Sequence, residues 1–227
     1  SMEDARGYCI IGCVEPCACH KTEGWHDAAF FNMVRPLELV FSSGMDKGKL
    51  IGLPTKDVCE MTSFEEFFDA YKAQEEHMIR MMVQADNAVD AAHAARCPLP
   101  FESCMIDDCI ANEKDYNNGG SRYNTRYIQG VGIGTITDCL AAIKYNIYDN
   151  HNFTMDELLK AMDDNFEGHE EILNMVTNKT PKYGNDDDYA DDIMQAVFEL
   201  YRDEVTGRPT MSGGQYHVDM LPTTCHI

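Results

Sequence analysis

Apolar positions along the chain follow two spacings, one typical of strands and one typical of helices. Residues 8–11, Tyr-Cys-Ile-Ile, form a short apolar run that predicts a buried strand. From Phe64 to about Arg96, aromatic and methionine side chains recur at helical spacing, and Ser63 with Glu66 forms a capping box in front of them. Such a stripe is more typical of a packed core than of a cofactor site. Together these patterns predict an α/β chain that is rich in helix.

Further elements are predicted on either side of the long helix. Apolar residues within 28–40 predict a helix that Pro36 kinks or ends. His26 and Asp27 would face different ways on that helix, which favours a capping role over a catalytic dyad. Residues 215–220 predict a strand. In the last third of the chain, capping signals and helical spacing predict helices over residues 154–165, 169–177 and 187–202.

A thiol and a carboxylate stand two residues apart just after the first apolar run. Gly12 permits a backbone turn there that a residue with a Cβ would resist. Pro16 biases Glu15 toward an extended conformation, and side chains two apart on an extended segment point the same way. The sequence therefore predicts that Cys13 and Glu15 lie side by side at a strand tip. This arrangement suits a reactive sulfur with an acid/base beside it.

The charge balance narrows the classes of partner. The 227 residues carry a formal net charge of −21, which argues against nucleic acid and anionic membrane surfaces because both require clustered Lys and Arg. No apolar run approaches the length of a membrane span. In the absence of a secretion signal, the ten cysteines and 14 methionines lead us to expect reduced thiols in a cytoplasmic, preferably anaerobic setting.

A cluster of cysteines surrounds the thiol and carboxylate pair. Cys17, Cys19 and His20 follow Cys9 and Cys13 closely in the sequence. Their spacing lacks the repeated two-to-four-residue gaps of zinc sites and the three-cysteine pattern of radical iron–sulfur clusters. We therefore expect no metal ligands in this cluster, and its role stays open.

The segment Gly-Cys-Val-Glu-Pro at residues 12–16 resembles the cysteine loop of the glycyl radical enzymes, the family of pyruvate formate-lyase. The resemblance extends along the chain through Lys-Thr-Glu-Gly-Trp-His-Asp at 21–27, Asp-Asn at 86–87 and Pro-Leu-Pro-Phe at 98–101. It continues through Tyr-Asn-Thr-Arg-Tyr-Ile-Gln-Gly at 123–130, Tyr-Gly-Asn-Asp-Asp at 183–187 and Met-Leu-Pro-Thr-Thr-Cys-His at 220–226. The last segment is most similar to the trans-4-hydroxy-L-proline dehydratase branch of the family.

This resemblance implies a fold, a mechanism and partners. The fold would be part of a ten-stranded α/β barrel of two five-stranded half-sheets, with residues 1–227 as a C-terminal-half portion truncated at both ends. A separate radical S-adenosylmethionine activating enzyme would install a glycyl radical, which draws a hydrogen atom from Cys13. The resulting thiyl would abstract hydrogen from a small-molecule substrate, with Glu15 as the neighbouring acid/base and Thr224 and Thr223 near the substrate. The intact protein is expected to be a homo-oligomer.

Two departures from the family pattern affect these expectations. The Arg-Val-Ser/Thr-Gly-Tyr type motif that carries the glycyl radical is absent from residues 1–227. The stretch from Cys17 to His20 is richer in cysteine than is usual in the family, which leaves the detailed shape of the loop open. We therefore expect the chain alone to be inactive and to bind no cofactor itself. The resemblance implies that the intact enzyme is a lyase that dehydrates trans-4-hydroxy-L-proline.

Other functions stay open on the residues alone. The intact enzyme could act on a diol, choline, isethionate or a formate acetyltransferase substrate, as other glycyl radical lyases do. The chain could instead be a non-catalytic fragment or binding module, in which Cys13 is a buried and inert thiol. Cys13 could also be an ordinary nucleophile, but such a thiol needs a nearby cation or His, and the Glu15 carboxylate would raise its pKa.

Overall fold

The computed structural model describes residues 1–12, 15–23 and 25–220 and has the helix-rich α/β fold that the sequence predicts. The strands are β1 (Tyr8–Ile11), β2 (Glu15–Ala18), β3 (Trp25–Asn32), β4 (Met45–Asp46), β5 (Lys49–Leu50), β6 (Arg126–Val131) and β7 (Tyr216–Asp219). The α-helices are α1 (Met2–Arg6), α2 (Arg35–Phe41), α3 (Phe64–Arg96), α4 (Pro100–Ser103), α5 (Ile133–Ile143), α6 (Met155–Asp163), α7 (Glu170–Asn174) and α8 (Asp188–Val205). Two π-helical segments, Lys144–Asp149 and Met175–Lys179, continue α5 and α7.

The chain divides into two compact units. The first comprises Ser1–Phe31, Ile79–Gly130 and the chain from Arg202 to the end of the described region. The second comprises Asn32–Met78 and Val131–Tyr201. Helix α3 therefore contributes its first half to the second unit and its second half to the first.

The first unit contains the two sheets that position the predicted site. β1 and β2 form an antiparallel hairpin, and β3, β6 and β7 form a three-stranded sheet with β6 in the centre. β6 and β7 run parallel, with Arg126 opposite Tyr216 and Gln129 opposite Asp219. The second half of α3 is tied to this sheet, because the Tyr216 hydroxyl donates to the Asp86 carboxylate at 2.6 Å. The hydrogen bond brings the family-like segment at 86–87 to the sheet.

The second unit is organised around the aromatic half of α3. Phe67 and Tyr71 are completely buried, and the Tyr71 hydroxyl donates to the Met33 carbonyl at 3.0 Å. The buried Gln74 amide donates to the Leu53 carbonyl at 2.6 Å and accepts from the Leu53 amide at 2.9 Å. The helix thus buries its polar groups with partners, which removes the desolvation cost that an unpaired amide would carry.

The structure corrects the prediction for residues 28–40. Instead of one helix, β3 runs through Asn32 and α2 begins at Arg35. Pro36 lies in the first turn of α2, where its missing N–H costs nothing, so it opens a helix and does not end one. His26 and Asp27 consequently lie on a strand and not at a helix cap. A short apolar run cannot distinguish helix from strand by periodicity, and pairing with β6 decides here.

Other predicted elements agree with the structure. The long helix spans Phe64–Arg96, and the strands at 8–11 and 216–219 lie where the sequence predicts them. The first of these strands is not buried as predicted, since Tyr8 and Ile10 are more than half exposed. Thr154 caps α6 in a capping box with Glu157, whose carboxylate accepts from the Thr154 amide at 2.8 Å. Among residues 1–12, 15–23 and 25–220, no helix combines the length and apolar character needed to cross a membrane.

Candidate active site

The predicted site is built on the β1–β2 hairpin. Ile11 pairs with Glu15, so residues 12–14 join the two strands. Glu15 begins β2 as Pro16 predicts, and it is 3% exposed. A carboxyl group this deeply buried is unusual, because removal from water disfavours its ionised form. Of the residues that sequence analysis assigned to the site, Glu15 is described, whereas Cys13, Thr223 and Thr224 lie outside the described residues.

Gly12 makes room for the Glu15 carboxyl group. Its φ is +56°, in the left-handed region that glycine adopts most easily. A Cβ at this position would stand 2.6 Å from Oε2 of Glu15 and 3.1 Å from its Cδ. The absence of a side chain at Gly12 therefore serves two ends: it permits the turn, and it lets the carboxyl group lie over the backbone of that turn.

Three carboxyl groups converge beside the hairpin. One oxygen from each of Glu15, Asp27 and Asp219 lies within 4.8 Å of the other two. Glu15 comes from β2, Asp27 from β3 and Asp219 from the end of β7. Sequence analysis gave Asp27 a capping role and did not consider Asp219. These two residues lie in the β3–β6–β7 sheet, and Glu15 lies in the separate β1–β2 hairpin. We call these three residues the carboxylate group.

The electrostatics of the carboxylate group favour a retained proton. Burial raises the pKa of Asp219, the Met220 amide opposes this by donating a 2.8 Å hydrogen bond, and the negative charges of Glu15 and Asp27 raise the pKa further. His26 has a small opposing effect. Carboxyl groups that crowd one another cannot all ionise freely, so a proton is held to higher pH than on an isolated Asp. Such a group can act as an acid and, after losing its proton, as a base.

Aromatic rings border the hairpin on the sheet. His26 is buried and stacks on Tyr127 with ring centroids 4.8 Å apart, and His217 lies 5.3 Å from Tyr127. Among the described residues, Nδ1 of His26 has no hydrogen-bond partner. A cavity of about 340 Å³ is lined by Pro16, His26 and Tyr127 together with neighbouring residues. Glu15 does not line this cavity, so we do not assign the cavity to the site.

Oxygen ligands of the carboxylate group are of the type that hard divalent cations bind. Acidic residues also gather in proteins without a metal. We assign no metal to the carboxylate group.

A second acidic cluster lies in the same unit and has a different character. The guanidinium of Arg126 donates to both Glu23 oxygens at 2.7 and 2.8 Å and to Asp90 at 2.8 Å. Arg126 is 1% exposed and Glu23 is completely buried. The hydrogen bonds join β6 to α3 and to the chain before β3. Glu23 and Arg126 come from two family-like segments, 21–27 and 123–130, which the fold thus places in contact.

Known proteins and structures match the chain over its whole length. The chain is 54% identical over its whole length to trans-4-hydroxy-L-proline dehydratase of Clostridioides difficile and spans 29% of that protein. The crystal structure of hydroxyproline dehydratase from the same organism, with trans-4-hydroxy-L-proline bound, superposes with a TM-score of 0.92 at 53% identity. This superposition covers 100% of the chain and 29% of that structure.

A more distant structure gives the same fold. The crystal structure of a glycyl radical enzyme from Archaeoglobus fulgidus superposes with a TM-score of 0.87 at 31% identity, covering 98% of the chain and 28% of that structure. The family model described as pyruvate formate lyase-like matches residues 1–227. The chain therefore belongs to the pyruvate formate lyase-like family.

Proposed function

We propose that the chain supplies the cysteine loop and the acid/base group of a glycyl radical dehydratase that removes water from trans-4-hydroxy-L-proline. The chain covers 29% of the C. difficile dehydratase, so the proposal concerns the whole enzyme of which this segment would form part. The 54% identity to that dehydratase supports the choice of substrate. In this proposal residues 1–227 belong to the C-terminal half of one barrel domain.

The observation that carries the proposal is the placement of Glu15. Its carboxyl group is buried, lies against Gly12 in the hairpin turn and stands two residues from Cys13. A buried acid in a turn has no role in packing that an apolar side chain would not fill better. Its position suits proton transfer beside a reacting sulfur.

The chemistry at Cys13 begins with hydrogen-atom transfer. The glycyl radical that these enzymes carry would supply the thiyl by taking the hydrogen atom of the Cys13 thiol. A neighbouring carboxylate disfavours a thiolate, but a thiol that loses a hydrogen atom need not ionise. Cys13 then takes a hydrogen atom from the ring carbon that lies between nitrogen and the hydroxyl-bearing carbon. The S–H bond re-forms and the substrate becomes a carbon radical.

Water departs from this substrate radical with the help of Glu15. The radical makes the neighbouring ring N–H acidic and weakens the bond to the hydroxyl group. Glu15 transfers a proton to the hydroxyl as the C–O bond breaks and is restored by the proton lost from the ring. The remaining radical takes its hydrogen atom back from the Cys13 thiol. The net result is one pyrroline carboxylate, one water and Cys13 ready for another cycle.

Asp27 and Asp219 would tune this proton transfer. Their carboxyl oxygens lie within 4.8 Å of an oxygen of Glu15, close enough for the group to pass a proton to Glu15 or take one from it. Thr224, with Thr223 beside it, is proposed to contact the substrate on the strength of the family resemblance. The activating enzyme is the proposed protein partner, and the intact protein is proposed to be a homo-oligomer.

Turnover by the full-length enzyme tests the proposal. After activation with S-adenosylmethionine and its activating enzyme, the protein should convert trans-4-hydroxy-L-proline to a pyrroline carboxylate, followed by mass spectrometry. Cys13→Ser should abolish turnover, because an oxygen radical of suitable energy cannot replace the thiyl. Cys59→Ser, which changes an exposed cysteine, should leave turnover intact. Inert hydroxyproline with turnover of a diol, choline or isethionate would overturn the substrate assignment.

A further inference from the structure

Two cysteines face each other across the hairpin that contains the predicted site. Cys9 of β1 and Cys17 of β2 are direct partners in the antiparallel register. Their Sγ atoms lie 3.2 Å apart, and both side chains are partly exposed. The pair thus combines closeness of the sulfurs with access from solvent.

The backbone of the hairpin suits a covalent bond between these sulfurs. Directly opposed residues of an antiparallel pair have Cα atoms roughly 4.5–5.5 Å apart, within the range that disulfides span. A bond requires the sulfurs to approach by only about 1 Å from their 3.2 Å separation, since an S–S bond is about 2.05 Å long. Side-chain rotation can supply that movement without a change of strand register.

Other cysteines of the described chain do not share this arrangement. Burial raises the pKa of the Cys139 and Cys109 thiols, which reduces their reactivity. Cys59, Cys97 and Cys104 are exposed on other parts of the chain. Cys19 could compete with Cys17 for Cys9, because its thiol is hydrogen-bonded to Cys9. This hydrogen bond raises the pKa of the Cys19 thiol. Cys17, by contrast, lies opposite Cys9 in register.

We propose that Cys9 and Cys17 form a reversible disulfide that clasps the hairpin around Cys13. With a low-molecular-weight disulfide as oxidant, the thiolate of one cysteine attacks a sulfur of that disulfide and releases one thiol. The second cysteine then displaces the other thiol from the mixed disulfide, and the Cys9–Cys17 bond forms. The two cysteines lose two protons and two electrons, and the oxidant is reduced to two thiols.

The disulfide would close a covalent ring through the hairpin turn. The ring contains Gly12, Cys13 and Glu15, so oxidation would limit the conformations that the turn can adopt. A consequence for turnover rests on the proposed function, whereas formation of the disulfide does not. Formation of the disulfide and the proposed function can therefore be tested separately.

Differential alkylation of the 227-residue chain tests the proposal. The chain is incubated with oxidised glutathione, its free thiols are blocked with iodoacetamide under denaturing conditions, and the disulfides are then reduced and labelled with N-ethylmaleimide. Trypsin releases residues 7–21, which contain Cys9, Cys13, Cys17 and Cys19. We expect N-ethylmaleimide on Cys9 and Cys17 in most copies of this peptide, and loss of the label when dithiothreitol precedes the iodoacetamide. Labels that fall on Cys13 or Cys19, or an unlabelled peptide, would overturn the proposal.

Two variants separate the competing pairs. Cys19→Ser removes the competitor and should leave the Cys9–Cys17 label unchanged. Cys17→Ser should prevent the internal bond, so that non-reducing mass spectrometry of residues 7–21 finds Cys9 only as a free thiol or as a mixed disulfide with glutathione. If Cys9 is still labelled in the Cys17→Ser variant and unlabelled in Cys19→Ser, then Cys9 pairs with Cys19 and the assignment is wrong. The mapping of the unmodified chain stands independently of whether either variant folds.

Discussion

Two groups of acids in the first unit have different surroundings. Glu23 and Asp90 are buried, whereas the carboxylate group combines buried Glu15 with partly exposed Asp219 and exposed Asp27. Glu23 and Asp90 surround the guanidinium of Arg126, which donates three hydrogen bonds of 2.7–2.8 Å to their oxygens. In the carboxylate group, by contrast, oxygens of Glu15, Asp27 and Asp219 lie within 4.8 Å of one another. Burial alone would lower the pKa of Arg126, but the bonds and charges of Glu23 and Asp90 raise it above its ordinary value. Burial raises the pKa of both Glu23 and Asp219, but the hydrogen bonds and charge of Arg126 oppose this at Glu23, whereas the charges of Glu15 and Asp27 add to it at Asp219.

Acids that stabilise the fold thus differ in their neighbours from acids that can exchange protons. A carboxylate bound by a bidentate guanidinium loses charge-assisted hydrogen bonds when it takes up a proton. Carboxyl groups that lie close together titrate as a coupled set, so each can gain or lose a proton as its neighbours do. The family-like segments contribute to both groups, so membership of a shared segment does not by itself identify a catalytic residue.

Removal of Arg126 should have the largest effect on stability. Arg126→Met leaves the buried Glu23 and Asp90 without their cation, which typically costs about 3–5 kcal/mol of unfolding free energy. The matched control is Arg122→Met, since Arg122 also makes two bonds to a carboxylate, Asp108, but at the exposed surface. We expect little change in that control. Urea unfolding followed by circular dichroism measures both, and equal losses would contradict the distinction between the two arginines.

A side chain at Gly12 should have an intermediate effect. Gly12→Ala combines a left-handed backbone, which costs a non-glycine residue about 1–2 kcal/mol, with a Cβ pressed against the Glu15 carboxyl group. Gly48→Ala is the control, because φ of Gly48 is +78° and its Cβ would meet nothing within 4 Å. The excess destabilisation of Gly12→Ala over Gly48→Ala measures the contact with Glu15. If the two variants lose the same stability, Glu15 does not occupy the space above Gly12 in solution.

Neutralisation of Asp219 should have the smallest effect, and its sign depends on pH. Because the pKa of Asp219 is raised on folding, its favourable contribution is present at pH values below the ordinary Asp range and is lost as pH rises through the raised pKa. Asp219→Asn should therefore be more stable than the parent chain at pH 7 and show no gain at pH 3. The gain should stay below about 1 kcal/mol, since solvent screens this partly exposed group.

Thermal unfolding at the two pH values checks this prediction. Asp163→Asn in α6 provides an exposed control, for which we expect no comparable pH-dependent gain. A loss of stability on Asp219→Asn at pH 7 would mean that Asp219 makes a favourable contact as a carboxylate and that the crowding argument fails.

The fold was predictable where local signals decide it. Helix α3 carries 33 residues of helical spacing behind a capping signal, and its bounds agree with the prediction. The strand β1 and the extended start of β2 follow from an apolar run and from Pro16. The prediction for residues 28–40 was wrong because Phe30 and Phe31 fit either a helix or a strand over so short a run. The pairing of β3 with β6, which decides between them, cannot be read from the local sequence.

The site was predictable only in part. Glu15 was identified because a short motif places it two residues from Cys13, and its role stays a prediction. The structure shows that it is buried. Asp27 and Asp219 are distant from it in sequence and meet it through the strands that carry them. Arg126, Glu23 and Asp90 come together in the same way. Contacts of this kind depend on strand order and helix packing, which hydrophobic spacing along one sequence does not encode.

In the proposed reaction, Glu15 moves the proton that leaves with water while Cys13 moves the hydrogen atom. Glu15→Gln in the activated full-length enzyme, incubated with trans-4-hydroxy-L-proline in D₂O, separates the two steps. We predict that recovered substrate carries deuterium at the ring carbon next to nitrogen at the parent rate, while pyrroline carboxylate formation falls by about 10²–10⁴-fold. Glu60→Gln, at an exposed position, should retain both activities. Dehydration by Glu15→Gln at the parent rate, or loss of deuterium exchange together with dehydration, would contradict the role assigned to Glu15.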